Sequence, residues 1–253
     1  MNGTAPTRGV DLADPVASVL VGEEPIAIYP VETWLAPTYF LLYMAYLFWR
    51  PEDEALHWVS LVLIPVLLVM YLKRRTPRTV ASTLASFGLR WGNLTRGLGF
   101  TLVLGTGLGL FQLFFSRSGP AALEAFTSGR ALYLFPLAFI LMLLTAGFTE
   151  EVFFRGFLQT RLEALLGSKW SGLIVTSLFF GLYHLPYAYF NPNWPSAGDW
   201  GAAWGSALGQ GIPGGLVLGG IYLYSRKNLL ACIILHSLIN AFPGMGMIRF
   251  SGP

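Results

Sequence analysis

Long apolar runs separated by short polar segments fill most of this chain. Runs of about 17 or more mostly apolar residues are long enough to cross a bilayer as helices, because about 20 residues span its hydrocarbon core. These runs lie at residues 33–49, 55–72, 97–115, 136–158, 170–190, 203–225 and 229–247. The pattern therefore predicts an all-α, polytopic transmembrane helix bundle with seven or eight spans.

Composition and charge fit a membrane protein better than a soluble one. The chain is 54% hydrophobic and 11% charged, whereas an ordinary soluble domain is about 25% charged. We expect an N-terminal polar tail at residues 1–30 and a single membrane-embedded domain at 31–253, without internal repeats. The net charge of +3 comes mostly from residues between the spans, so it indicates topology and a lipid partner, not nucleic acid.

The segment 73–96 is the clearest signal of orientation, because it holds six basic residues and no acidic one. If this segment is cytoplasmic, alternation of the seven spans places twelve of the sixteen Lys and Arg residues inside, as the positive-inside rule requires. The rule thus predicts a cytoplasmic N-terminus. The four basic residues left outside are Arg50, Arg117, Arg130 and Arg249.

Two further segments have more than one interpretation. Residues 78–92 form either a short amphipathic helix at the membrane interface or a solvated loop. The segment from Gly205 to Tyr224 has glycines at GxxxG spacing, which predicts close packing of helix backbones. Its Gly211 to Gly215 stretch could also break the helix where the backbone is buried in protein.

Three short polar patterns interrupt the apolar spans. They read Glu150-Glu151-Val-Phe-Phe-Arg155, Phe180-Gly-Leu-Tyr-His184 and His236-Ser-Leu-Ile-Asn240. A charged side chain near the centre of a span costs about 2.5 to 3.5 kcal/mol on insertion scales, so such residues usually serve a function. The patterns are therefore the candidate functional site of the chain.

The candidate residues lie at similar depths in their spans. At 1.5 Å per residue, Glu150 is about 16 Å from the interfacial Arg161, and His184 is about 21 Å from Trp170. The same rise places His236 about 14 Å and Asn240 about 20 Å from Lys227. The agreement predicts one site lined by three helices, within a cavity that opens toward the cytoplasmic leaflet.

Spacing within each helix suggests roles. Glu151 and Arg155 are four residues apart, so they share a helix face and can form an ion pair that lowers the cost of burying both. His236 and Asn240 are also four apart and can point to the same place. Glu150 projects about 100° away from Glu151. We expect Glu150 to face a different partner and to be the catalytic carboxylate.

Two other residues with reactive side chains receive no catalytic role. His57 lies at the start of a span beside Trp58, where interfacial placement explains it. Cys232 is four residues before His236, but a lone cysteine in an apolar helix is usually a small packing residue. As the single cysteine, it also excludes an intrachain disulfide.

The ordered set of motifs resembles the ABI or CPBP family, which includes type II CAAX prenyl endopeptidases and bacteriocin-processing or immunity proteins. The resemblance covers a motif core at residues 145–242. It includes Phe-Arg-Gly after the glutamates, Ser-Leu-Phe-Phe-Gly-Leu before the first histidine, and Gly-Gly-Ile-Tyr upstream of the second. The family's motifs fall on Glu150, Glu151, Arg155, Phe180, His184, His236 and Asn240.

The resemblance implies an α-helical intramembrane protease with a peptide or prenylated protein as substrate. Glu150 would act as the general base and His184 would position the water, while His236 and Asn240 would stabilise the oxyanion. Glu151, Arg155 and Phe180 would support the site. A cofactor is not required by this scheme.

Other interpretations remain open at this point. Glu150, His184 and His236 also make a two-histidine, one-carboxylate set that could bind catalytic Zn²⁺. The alternatives to a protease are a secondary transporter, which also keeps ionisable residues at mid-membrane, and a non-catalytic scaffold that binds membrane peptides. The sequence determines neither the substrate nor the oligomeric state.

Overall fold

A computed structural model describes residues 15, 17–50, 56–73, 79–92, 94–192, 194 and 196–248. The fold is 79% helical, so the predicted all-α class is confirmed. The α-helices within these residues are α1 Pro30–Trp49, α2 Ile64–Leu72, α3 Val80–Ser86, α4 Leu94–Phe115, α5 Gly119–Thr127, α6 Ala131–Met142, α7 Phe148–Glu151, α8 Thr160–Leu166, α9 Lys169–Phe190, α10 Trp200–Ser206, α11 Ile212–Tyr224 and α12 Leu229–Gly244.

Short π-helical segments join several of these helices into longer rods. They are π1 Val59–Leu63 before α2, π2 Leu143–Gly147 and π3 Val152–Gln159 on either side of α7, and π4 Ala207–Gly211 before α11. A π turn hydrogen-bonds residues i and i+5, so the side chains beyond it point in different directions from those of a regular helix. The long helical segment from Ala131 to Leu166 is kinked in π2, where Thr145 has non-helical backbone angles, and passes through π3 after the paired glutamates.

Each of the seven predicted spans falls on a helical segment of the structure. Among the described residues, three helices are long and apolar enough to cross a membrane: Gly97–Phe115, Ala131–Leu166 and Lys169–Phe190. Val59–Leu72 and Leu229–Gly244 are shorter apolar helices. The full number of crossings stays a prediction.

A β-hairpin lies within the segment that the sequence predicts as a polar tail. Strand β1, Ala17–Val21, pairs antiparallel with β2, Glu24–Ile28. Gly22 in the two-residue turn has φ +69°, a conformation that glycine adopts without strain and that such turns require. Buried side chains on one face of the hairpin pack against Ala164 of α8.

Buried ion pairs tie this end of the bundle together. Glu32, near the start of α1, accepts hydrogen bonds from Arg161 of α8, with Nη2 at 2.8 Å and Nε at 3.2 Å. Lys73 Nζ lies 3.2 Å from the other carboxylate oxygen, and the three side chains are at most 1% exposed. Lys73 and Arg161, which follow two different predicted spans, thus meet at the same end of the bundle.

Some of the residues behind the predicted orientation lie outside the described part of the chain. They are Arg74, Arg75, Arg78 and Arg249, together with most of the first sixteen residues. The cytoplasmic assignment of the basic end stays a prediction.

The segment predicted to be either an amphipathic helix or a loop contains both. Val80–Ser86 is helical, and the residues after it form a turn in which Trp91 is 83% exposed. Tyr222 of α11 donates a hydrogen bond to the carbonyl of Phe87 at 2.8 Å. The helix is therefore fixed to the bundle, while its position at a membrane interface stays a prediction.

The glycine rows of α11 pack closely against α9, as their spacing predicts. A Cβ at Gly211 would lie 2.8 Å from Gly181 Cα, and one at Gly215 would lie 2.8 Å from Ser177 Cα. A Cβ at Gly219 would lie 2.3 Å from Leu173 Cδ1. The earlier pair, Gly205 and Gly209, faces open space. The helix is not broken here but passes through π4.

Candidate active site

Three elements bring the polar motifs together: α7 with π3, the second half of α9, and the middle of α12. Glu151 of α7 contacts His236 of α12, and the Arg155 guanidinium of π3 lies 4.4 Å from the ring centre of Phe180 on α9. The Phe180 and His236 ring centres are 6.1 Å apart. The three helices therefore meet at the polar motifs, while the depth of the motifs in a membrane stays a prediction.

Glu151 is the centre of a buried network of polar side chains. Arg155 Nη1 donates to Glu151 Oε1 at 3.0 Å, which confirms the predicted ion pair. His236 Nδ1 lies 2.7 Å from the same oxygen. Because the carboxylate can only accept, the Nδ1 proton points to Glu151 and the ring is fixed with Nε2 facing away. Glu151 thus orients a histidine as well as neutralising an arginine.

Glu150 lies on the other side of the same imidazole. Its Oε2 is 3.9 Å from His236 Nε2, and this buried oxygen has no hydrogen-bond partner among the described residues. The two glutamates face different atoms: Glu151 pairs with Arg155 and contacts His236 Nδ1, whereas Glu150 faces the other nitrogen of the same ring. The 3.9 Å separation is too long for a direct hydrogen bond between the two atoms.

His184 is fixed by the backbone of its own helix. Its Nδ1 lies 2.7 Å from the carbonyl oxygen of Phe180. A carbonyl only accepts hydrogen bonds, so His184 carries its proton on Nδ1 and leaves Nε2 as an acceptor in the neutral ring. The imidazole is half-buried. It can therefore accept a hydrogen bond from water.

Phe180 forms the apolar wall between these polar groups. Its ring centre lies 4.7 Å from that of His184 and 4.9 Å from that of Phe154. The guanidinium of Arg155 stacks on the same ring, an arrangement that stabilises a desolvated cation. The supporting role predicted for Phe180 is consistent with these contacts.

Asn240 lies one helical turn after His236 on α12. Its side chain is half-buried and makes no hydrogen bond with any other described residue. Residues four apart share a helix face, so its amide is available on the same side as the imidazole. No hydrogen bond joins Asn240 to Glu150 or His184 among the described residues.

Sequence reasoning missed a tyrosine and histidine cluster beside the site. His57 Nε2 lies 2.9 Å from Tyr183 Oη and 2.7 Å from Tyr187 Oη. Tyr183 directly precedes His184, and its ring packs against Phe154. His57 is therefore part of a hydrogen-bonded network, not merely an interfacial residue. No spacing in the sequence could reveal a contact between residues 126 apart.

A protein site for a catalytic metal ion needs at least three ligand side chains close together. In the described ranges, no three His, Cys, Asp or Glu side chains lie close enough together to hold one. Glu150, His184 and His236 do not gather into a three-ligand set here.

Residues 132–242 match the family described as Rce1-like, type II CAAX prenyl endopeptidase Rce1-like. The match includes every motif residue from Glu150 to Asn240, and it confirms the resemblance of the motif core. No curated protein and no solved structure matches the chain. The family is one of CAAX-type intramembrane endopeptidases, so the match supports a membrane protein with a hydrolase activity on peptide bonds.

Proposed function

Because residues 132–242 form an Rce1-like domain, we propose that this protein is an intramembrane endopeptidase that uses a glutamate-activated water. One observation carries the proposal most directly. Glu150 and the Glu151-oriented His236 face each other across 3.9 Å within apolar helices. A pair of acid and base groups in such a setting is costly unless it serves chemistry.

The first step is the activation of water. A water that donates hydrogen bonds to Glu150 and to His184 Nε2 has its lone pair directed at the peptide carbonyl of the substrate. As the water oxygen bonds to the carbonyl carbon, Glu150 takes its proton. His184 holds the water in place, since the fixed tautomer of its ring can only accept a hydrogen bond from the water at Nε2.

The second step is the stabilisation and collapse of the tetrahedral intermediate. The carbonyl oxygen becomes an oxyanion and accepts hydrogen bonds from the Asn240 amide and from His236 when its Nε2 carries a proton. The carbon–nitrogen bond then breaks, and the protonated Glu150 returns its proton to the leaving amine. The carboxylic acid product then gives up the second proton of the water, so the final products are a carboxylate and a protonated amine, and no covalent enzyme intermediate forms.

The substrate class follows from the setting of the site. A peptide must reach groups that lie within apolar helices, which favours substrates that are themselves held at the membrane. We propose a C-terminal prenylated peptide or another membrane-associated peptide, entering from the basic end of the bundle on the cytoplasmic side. The experiment is mass spectrometry of a peptide library, in prenylated and unprenylated forms, incubated with purified protein.

Cleavage of any library member by wild-type protein, lost in the Glu150→Gln variant, supports the proposal. Binding without cleavage under all conditions would instead indicate a scaffold. The prenylated and unprenylated halves of the library separate the two substrate classes, because each peptide is present in both forms.

Asn240→Ala should lower kcat strongly. Removing one oxyanion donor raises the barrier by about 2.7 to 4 kcal/mol, while substrate binding changes little. Steady-state kinetics on a cleaved library peptide measure both constants. Gln210→Ala, which removes an exposed amide from π4, is the matched control and should be neutral. A kcat within threefold (about 0.7 kcal/mol) of wild type for Asn240→Ala would contradict the oxyanion role.

Prolonged chelation should leave the activity intact. The proposed mechanism uses only side chains, so protein purified without added metal should contain zinc far below one equivalent. Metal analysis and activity after dialysis against a chelator measure this. Stoichiometric zinc that is lost in His184→Ala or His236→Ala, together with recovery of chelated protein by zinc, would favour a metalloprotease and leave the endopeptidase assignment intact.

A further inference from the structure

A stripe of polar residues runs along the rod from the candidate active site toward the basic end. Glu151, Arg155, Gln159 and Glu163 follow one another at four-residue spacing. The first three are fully buried. At the outer end, Lys227 Nζ lies 2.7 Å from Glu163 Oε2. These four residues lead from Glu151, which orients His236, to the Glu163 and Lys227 pair near the helix ends.

Several polar atoms of this stripe have no partner within the described residues. Both amide atoms of Gln159 and Nε of Arg155 make no hydrogen bond. The hydroxyl of Thr176, on the facing helix α9, is also buried without a partner. Burying an amide or hydroxyl without a hydrogen bond costs about 1 to 3 kcal/mol in proteins, so such atoms are rarely left alone.

The packing of α11 against π3 and α9 places Gln159 and Arg155 one helical turn apart along the same interface. Gly219 of α11 contacts both Gln159 and Leu173, since a Cβ there would lie 2.9 Å from Gln159 Oε1 and 2.3 Å from Leu173 Cδ1. One turn away, Arg155 Nη2 lies 3.4 Å from the Gly215 carbonyl and stacks on Phe180.

Thr176 falls between these two levels of α9. It is three residues after Leu173 and four before Phe180, so all three side chains share one helix face. On that face Leu173 lies close to the part of the bundle that holds Gln159, and Phe180 stacks against Arg155. Thr176 therefore lies on the face of α9 that packs against the part of the stripe that holds the unpartnered atoms.

We propose that Gln159, Thr176 and Arg155 Nε form a buried water site between π3, α9 and α11. Buried waters typically make about three hydrogen bonds to groups that otherwise lack partners. The Gln159 amide offers a donor and an acceptor, the Thr176 hydroxyl can donate or accept, and Arg155 Nε–H donates. Together they supply three hydrogen bonds to one water, with both donors and acceptors among them.

The site also has a role that rests on the proposed function. Each turnover consumes one water at a position surrounded by apolar helices. A water at this site lies between Glu151 and the Glu163 and Lys227 pair, so it can serve as one step of a route that replaces the water used at Glu150. The stripe is then a supply route from the basic end.

Radiolytic hydroxyl-radical labelling of the full-length protein in detergent, in ¹⁸O water, tests the site without requiring activity. Radicals formed from a bound water label the nearest side chain, so Leu173 should be labelled although it is buried. The double variant Gln159→Met and Thr176→Val should lose that label. Leu61, which is fully buried in the core, gives the background level, and labelling of Leu173 at that background would overturn the site.

Thr101→Val is the matched control, because Thr101 is also buried with an unpartnered hydroxyl but lies on α4 outside the stripe. It should keep the Leu173 label. The double variant should turn over a cleaved peptide about tenfold more slowly at unchanged KM. If the double variant is more stable than wild type and equally active, the site is dry, because apolar replacement of unpartnered groups is then neutral or stabilising.

Failure of the protease assignment would be distinguishable from failure of the water site. Absence of cleavage by wild-type protein overturns the supply role, whereas the Leu173 label tests the water site by itself.

Discussion

Glu150→Gln should lower the rate of peptide cleavage by about two to four orders of magnitude. The amide keeps the size of the side chain and can still hold a water, but it cannot take up the proton. The fold should be unaffected, because Glu150 Oε2 has no hydrogen-bond partner to lose in the described structure. Initial rates on a library peptide, with thermal unfolding measured in the same detergent, give both quantities.

The control for Glu150→Gln is Glu124→Gln. Glu124 pairs with Arg130 at the surface, where both side chains are well exposed, and loss of such a pair costs little. This variant should cleave at the wild-type rate. Turnover close to wild type in Glu150→Gln would remove Glu150 from the mechanism.

Glu151→Ala should destabilise the protein by about 3 to 5 kcal/mol, because it leaves the buried Arg155 without an anionic partner. In a chain of this length, each kcal/mol lowers Tm by about 2 to 4 °C. The activity of the folded fraction should fall as well, since His236 loses the acceptor that fixes its ring. Thermal unfolding and kcat below the unfolding transition measure the two effects separately.

Glu23→Ala provides the comparison for Glu151→Ala. Glu23 and Arg226 form an ion pair of similar length, 2.7 Å, but both side chains are largely exposed. Its removal should leave Tm nearly unchanged. Equal Tm values for Glu151→Ala and wild type would show that the buried pair is not a source of stability.

The positions of the helices and the meeting of the motifs could be predicted from the sequence. Apolar runs locate helices in a membrane protein because the bilayer imposes both composition and length. A constant rise per residue then gives the depth of each polar side chain. The ion pair of Glu151 with Arg155 is also local, so its four-residue spacing was sufficient.

The contact between Glu151 and His236 could not be predicted in the same way. The two residues are 85 positions apart, and Glu150 and Glu151 are chemically identical in the sequence. Their directions depend on π2 and π3, which rotate the side chains away from regular helical positions. No pattern of apolar residues identifies such segments.

The hairpin was missed for a different reason. Its strands are five residues long, and acidic residues at the turn make the segment resemble a solvated tail. Its buried face depends on α8, which lies far away in the chain. Short strands of this kind are stable only against a partner surface.

The ion pairs around Glu32 affect when the beginning of α1 can be buried during synthesis. Arg161 follows Glu32 by 129 residues, which corresponds to about 6 to 26 s at ribosomal rates of about 5 to 20 residues per second. Lys73 emerges earlier and can pair with Glu32 first. The beginning of α1 is therefore expected to stay in contact with interfacial water during synthesis, and its final burial should await the emergence of α8.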